Sequence, residues 1–279
     1  MRRKIFDLVP RFLIFVLNFW KLPRSSQGSN FYATLDEARK DCDPQTYQSE
    51  DLVDVVVEKT LRFADLMENG TIDLLTLRTL VPFASIGFGA NLQVVDFGGG
   101  AGYHYFVARR VLPKSVALSW NVIETKSMSA KCQGVFQNRS DTQELSFYSS
   151  IELANLLGKE IDIIFSSGAL CYASDPADSL KDLVGLGAKY IFITRTPFSE
   201  GGKLFSVHKS RLRDNGPGLM PEVFDDRPVT YPISFESRAK IEEILNSRYQ
   251  IRFRIDEGSW GFYPDSIRTW GYFCERKMA

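Results

Sequence analysis

No Cys-x-x-Cys pair occurs in this chain of 279 residues, and its four cysteines, Cys42, Cys132, Cys171 and Cys274, stand far apart. Neither histidine, His104 or His208, lies at metal-ligand spacing from a cysteine. A zinc-built or disulfide-stapled domain is therefore excluded, and reduced, buried thiols are expected. Charge of one sign is also lacking. Lys plus Arg and Asp plus Glu each number 34, for a formal net charge of zero, so no global field draws the chain to nucleic acid.

Long apolar runs are missing as well. The first residues, "MRRKIFDLVPRFLIFVLNFWKLPR", are broken by Asp7, Pro10 and Arg11, leaving six uninterrupted apolar residues from Phe12 to Leu17. That is too short to span a bilayer, and no small-residue cleavage site follows. On a helical wheel Lys4, Asp7, Arg11 and Asn18 share one narrow face, with Phe6, Phe12, Phe15, Phe19 and Trp20 over the remainder. Residues 1–24 fit either an interfacial helix on an anionic leaflet or a helix docked on its own domain.

What the chain does have is a core: 44% of its residues are hydrophobic and 24% charged, the make-up of a globular enzyme-sized unit. A polar linker, "SSQGSN", ends at Asn30. Residues 30–90 read as a helical cap region. Thr34 and Glu37 form a capping-box pair for a helix starting near Leu35, and apolar residues recur at helical spacing from Asp51 to Met67. Residues 91–279 then alternate strand and helix. The strands read as Leu92–Val95, Ala117–Ile123, Leu145–Tyr148, Ile161–Phe165 and Tyr190–Thr194, with Asp175 capping a helix opened by Pro176. Ser199 to Pro232 looks like an insertion able to act as a lid, Ser234 to Asn246 reads as helical, and strands at Tyr249–Ile255 and Ile267–Cys274 close the chain.

The most informative stretch is "LQVVDFGGGAGYHYF", a strand, a glycine turn and the start of a helix. Glycines let the backbone approach a ligand, and the first helical N–H groups favour an anion. The spacing Asp96-x-Gly98-x-Gly100-x-Gly102, with Gly99 inside it, departs from the dinucleotide fingerprint because Tyr103 stands at its third glycine. Glu124 follows at the end of the second strand, where an acid can accept hydrogen bonds from two ribose hydroxyls.

On these residues the chain resembles the class I S-adenosylmethionine-dependent methyltransferases. The ordered set "NFYATLDEA", "VVDFGGGAGYHYF", "FYSSIEL", "SSGALCYASDP" and "IFITRTPF" is similar, more narrowly, to a bacterial methyltransferase family met among surface-polysaccharide and lipopolysaccharide biosynthesis genes. The resemblance implies an α/β, Rossmann-like fold: a doubly wound, mostly parallel seven-stranded sheet whose last strand is antiparallel. It implies S-adenosyl-L-methionine as cofactor, held by Asp96, Gly98, Gly99, Gly100, Gly102 and Glu124, with Ser149, Ser150 and Ser167 alongside. Many class I members carry an adenine-binding Asp where Ser149 and Ser150 stand.

The implied acceptor is a small hydroxyl-bearing molecule or a saccharide, methylated in the cytoplasm near the inner membrane. Methyl transfer asks the protein to align the acceptor and take its proton. His104, Tyr172 and Arg195 are the leading candidates, with Asp175 and His208 behind them. No signature of nucleic-acid methylation is present. Two other classes stay open: a nicotinamide oxidoreductase, and a cofactor-binding assembly subunit without catalysis.

Overall fold

The structure is a computed structural model and describes residues 30–278, apart from 44–45, 68–75, 88, 138, 155, 157–158 and 262. The amphipathic segment expected over residues 1–24 lies outside the described residues. A two-residue strand, β1 (Phe31–Tyr32), comes first, and Thr34 then caps α1 (Leu35–Lys40). The Thr34 hydroxyl accepts the Glu37 N–H at 3.2 Å, and the Glu37 carboxylate accepts the Ala33 N–H at 3.0 Å. Helix α2 (Glu50–Met67) turns Leu52, Val53, Val56 and Phe63 into the core, and a short α3 (Val81–Ser85) leads to the main sheet.

The alternation that follows is β2 (Asn91–Phe97), α4 (Tyr103–Val111), β3 (Ala117–Ile123), α5 (Lys126–Phe136), β4 (Leu145–Tyr148), β5 (Ile163–Ser167), α6 (Pro176–Gly185) and β6 (Tyr190–Ser199). Next come β7 (Leu204–Arg211), β8 (Pro228–Phe235), α7 (Arg238–Arg248), β9 (Tyr249–Ser259) and β10 (Ile267–Arg276). The strands of the seven-stranded sheet run in the order β4-β3-β2-β5-β6-β10-β9, and β10 is antiparallel to both of its neighbours. This is the doubly wound, mostly parallel, Rossmann-like sheet with an antiparallel last strand that the resemblance implies. Its order reverses at β2, which has β3 on one side and β5 on the other, so the loops after β2 and β5 part to leave a crevice.

Two expectations need correction. The segment from Ser199 to Pro232 is built around a hairpin of β7 and β8, which β1 extends into a second, three-stranded antiparallel sheet. Ser234 and Phe235 complete β8 against Phe205 and Leu204, which delays the helix to Arg238. Ladder hydrogen bonds take those two residues before helical periodicity can.

Both faces of the large sheet are covered. Trp120, Phe165 and Phe192 are fully buried on the side of α2, α4 and α5, while Ile164, Leu180 and Leu245 are fully buried on the side of α6 and α7. Each such side chain contributes about 1.5–3 kcal/mol by leaving water. One charged group sits among them. Asp96, 0% exposed, accepts a hydrogen bond from Trp120 Nε1 at 3.1 Å and meets His104 Nδ1 at the same distance, 3.1 Å. His104 is itself 2% exposed and lies with its ring centre 4.6 Å from that of Phe165.

Because the imidazole is one of two groups that hydrogen-bond Oδ2 of this fully buried carboxylate, His104→Leu is expected to lower unfolding free energy by about 2–4 kcal/mol in urea titrations. His104→Gln, which keeps a donor, should recover part of that loss. Equal stability of wild type and His104→Leu would remove the pairing from the core's account.

Candidate functional site

A cleft of about 1050 Å³ opens at the C-terminal ends of the parallel strands, with residues of the β7–β8 hairpin in its wall. One end is formed by the turns after β2, β3 and β5. Gly98 (φ +70°) lies so close to the β5 turn that a Cβ would sit 2.1 Å from the Cβ of Ala169. A side chain there would force the two turns apart. Gly99 answers a different demand, since its Cβ would fall 2.4 Å from the buried Asp96 carboxylate. Among the four glycines only Gly98 lines the cleft; Gly99, Gly100 and Gly102 do not.

Glu124 stands beside this turn, half-buried, at the end of β3. Its Oε1 accepts the Gly100 N–H at 3.1 Å and its Oε2 the Thr125 N–H at 2.7 Å. Burial pushes the carboxyl above its usual value, and the two backbone donors hold it back. Each oxygen keeps lone pairs for a ligand in the cleft. These acceptor positions suit a vicinal diol such as a ribose. Ser149 and Ser167 line the cleft nearby. Ser150 does not, and its hydroxyl accepts the Leu153 N–H at 3.2 Å.

The other end is aromatic. Tyr172 follows β5, His208 lies on β7, Tyr231 on β8, Tyr47 precedes α2 and Trp260 follows β9. The Tyr172 hydroxyl is 2.7 Å from His208 Nδ1, and Tyr47 hydrogen-bonds Tyr172. Tyr47 stacks on Tyr231 with ring centres 4.1 Å apart, and Trp260 lies 4.8 Å from the His208 ring. Burial draws His208 down to about 4, so its imidazole is neutral at physiological pH, and burial pushes Tyr172 well above the ordinary phenol. Arg195, exposed at the end of the parallel part of β6, also lines the cleft.

The structure thus brings together Gly98, Glu124, Ser149, Ser167, Tyr172, Arg195 and His208 around one space. Asp96 and His104 are in the core below it. Asp175 is outside the cleft wall, capping α6 at Asp178 N and pairing with Lys203 at 2.8 Å. Sequence reasoning missed Tyr47, Tyr231, Trp260 and Glu257. The first three had no local signal, being aromatic residues in separate segments; Glu257 stood in a stretch, "DEGSWGFYPDS", that read as a connecting loop.

No protein-family model matches this sequence, and no curated protein matches it. Solved structures do. The chain is similar to magnesium protoporphyrin IX methyltransferase from Synechocystis with bound SAM, at 16% identity over 88% of this chain and 100% of that one, with a TM-score of 0.47. A S-adenosylmethionine-dependent methyltransferase from Clostridium acetobutylicum shares 10% identity over 79% of this chain and 99% of its own, with a TM-score of 0.48. A methyltransferase from Streptomyces caelestis shares 13% identity over 72% of this chain and 89% of its own, with a TM-score of 0.45.

Proposed function

We propose that this protein is a S-adenosylmethionine-dependent methyltransferase acting on a hydroxyl group. One observation carries the reading: a single cleft joins a carboxylate fixed by two backbone donors, Glu124, to a hydrogen-bonded Tyr172–His208 pair. When bound, S-adenosylmethionine supplies an electrophilic methyl group. Glu124 would accept the two ribose hydroxyls, Gly98 would let the main chain pass close to the ligand, and Ser149 would offer a hydroxyl toward the base.

At the far end Tyr172 would receive the acceptor. With Tyr47 donating to the Tyr172 oxygen and the Tyr172 proton directed at His208 Nδ1, one lone pair on the phenol oxygen is left for the acceptor hydroxyl. Tyr172 would take the acceptor hydroxyl's proton on its oxygen while its own proton passed to the His208 imidazole. Tyrosine and histidine act as a relay, and no phenolate need persist. His104 would act from the core, by positioning Asp96 beneath the glycine turn. Trp260, part-exposed in the cleft wall, offers an apolar face for the C–H face of a sugar ring, which supports a saccharide acceptor of the surface-polysaccharide kind that the sequence resemblance implies. Calorimetry with S-adenosylhomocysteine and with NAD separates this reading from an oxidoreductase, and turnover separates it from a non-catalytic subunit.

Glu124→Ala is expected to weaken S-adenosylhomocysteine binding by about 1.5–3 kcal/mol, roughly 10- to 150-fold in Kd, the scale of hydrogen bonds to a charged group. An unchanged Kd in a folded variant would place the ribose elsewhere.

His208 makes a second prediction. Its folded-state value of about 4 lies below the free value of 6.5, so as pH falls through that window the unfolded chain takes up a proton that the folded chain refuses. Stability should fall with pH over this interval, by up to about 1.4 kcal/mol per pH unit from this one group. His208→Gln removes the group, so its deficit relative to wild type should shrink between pH 7 and pH 5 in urea unfolding. Parallel curves would mean that the imidazole is not held neutral.

A further inference from the structure

Arg195 has φ +54°, the one non-glycine positive φ among the described residues. The left-handed conformation is unfavourable for an L-residue of this size, and it persists only where the surroundings fix it. The surroundings here are two matched bulges. On β6, Ile193 faces Tyr272 and Thr196 faces Trp270, so Thr194 and Arg195 together oppose Gly271 of β10. On the far side of β10, Trp270 faces Asp256 and Thr269 faces Gly258, so Glu257 is the extra residue of β9.

Glu257 closes the device. Its side chain is 3% exposed, and both of its oxygens accept the Arg195 N–H at 3.2 Å. The Thr194 hydroxyl donates to Oε1 at 2.5 Å and Arg78 Nη1 donates to Oε2 at 2.8 Å. Gly271 leaves the room for this reach, since a Cβ there would lie 3.1 Å from Glu257 Oε1. A buried carboxylate, its guanidinium partner and a glycine thus hold one exposed arginine out of the strand. Bulges beside a binding site re-aim a side chain in this way. Arg195 lines the cleft and acts on Cys171 across it, and its guanidinium has no hydrogen bond or ion pair among the described residues.

We propose that Arg195 is the anchor for an oxyanion on the acceptor, a carboxylate or phosphate carried by the molecule whose hydroxyl is methylated. The proposal rests on the methyltransferase reading for the word acceptor and on the bulge geometry for the anchor. A guanidinium offers a planar pair of donors that matches either group in two parallel hydrogen bonds.

The test uses the full chain, titrated with inorganic phosphate and with malonate at constant ionic strength, in parallel with S-adenosylhomocysteine, by calorimetry and thermal melting. Wild type should show saturable binding of at least one of the two anions. Arg195→Gly should weaken it tenfold or more while leaving the S-adenosylhomocysteine Kd within twofold. Its melting temperature should hold or rise, because glycine adopts the left-handed conformation freely. Arg195→Asn, which also tolerates that conformation, serves if the glycine variant does not fold. Phosphate alone or malonate alone binding would support the anchor and name its oxyanion. The anchor is overturned if wild type binds neither anion saturably, or if the variants bind both as wild type does. It is also overturned if the variants lose S-adenosylhomocysteine, since Arg195 would then serve the carboxylate of the cofactor. Failure of wild type to bind S-adenosylhomocysteine would sink the methyltransferase reading and leave the anion result standing.

Discussion

The cleft depends on one topological constraint, the reversal of strand order at β2. A strand paired in parallel on both sides sends the chain to opposite directions across the sheet, so the turns after β2 and β5 cannot cover one another. Three polar groups of the site are then placed by where a strand ends or breaks. Glu124 ends β3 and is tied back to the β2 turn through Gly100 N–H. Tyr172 follows β5 and Arg195 interrupts β6. Even Gly98 is explained by the same constraint, since the two turns part from a point at which they touch without room for a Cβ.

The parts legible in sequence are those whose signal is local. Apolar runs bounded by glycine or charge gave the parallel strands, because a strand buried on both faces needs continuous apolar residues and little else. The capping box at Thr34 and the Asp175 cap lie within a few residues of the groups they satisfy. Glu124 was legible because a strand end fixes its position relative to the glycine turn. The second sheet was not. Its closure joins Asn30 to Ser206 across 176 residues by a hydrogen bond of 2.8 Å, and β1 is two residues long. Pro228 and Pro232, which argue against a central strand, sit on β8.

His104 shows how a local signal misleads. Its place in the first turn of α4 suits a neutral base facing a ligand, but a helix turns successive side chains by about 100°, and this one points back under the glycine turn to Asp96. The buried carboxylate claims it. His208 had the weaker sequence signal and the stronger position, because β7 places it opposite Tyr172 and beneath Trp260. Fold-level pattern located the glycine-turn end of the cleft, whereas the aromatic end is assembled from long-range contacts between residues that carry no periodicity.

The cleft wall carries both signs of charge, Arg39, Arg78 and Arg195 with Asp43, Glu124, Asp214 and Glu257, which a formal net charge of zero does not resolve. The Glu124 carboxylate stands at the glycine-turn end. At the aromatic end Arg195 is exposed, Asp214 acts on His208, and burial keeps that histidine neutral. Glu257 does not cancel Arg195, for its oxygens are turned to the Arg195 backbone, to Thr194 and to Arg78. Using a charged carboxylate to hold a backbone N–H leaves the arginine side chain in the cleft rather than folded onto its own support. The strain at Arg195 is thereby offset by hydrogen bonds to a charged acceptor, each contributing about 1.5–3 kcal/mol, which exceeds the cost of the left-handed conformation. On the proposed reading a ribose at Glu124 would set one end of the ligand pair, and the acceptor's own charge would turn toward Arg195 on β6.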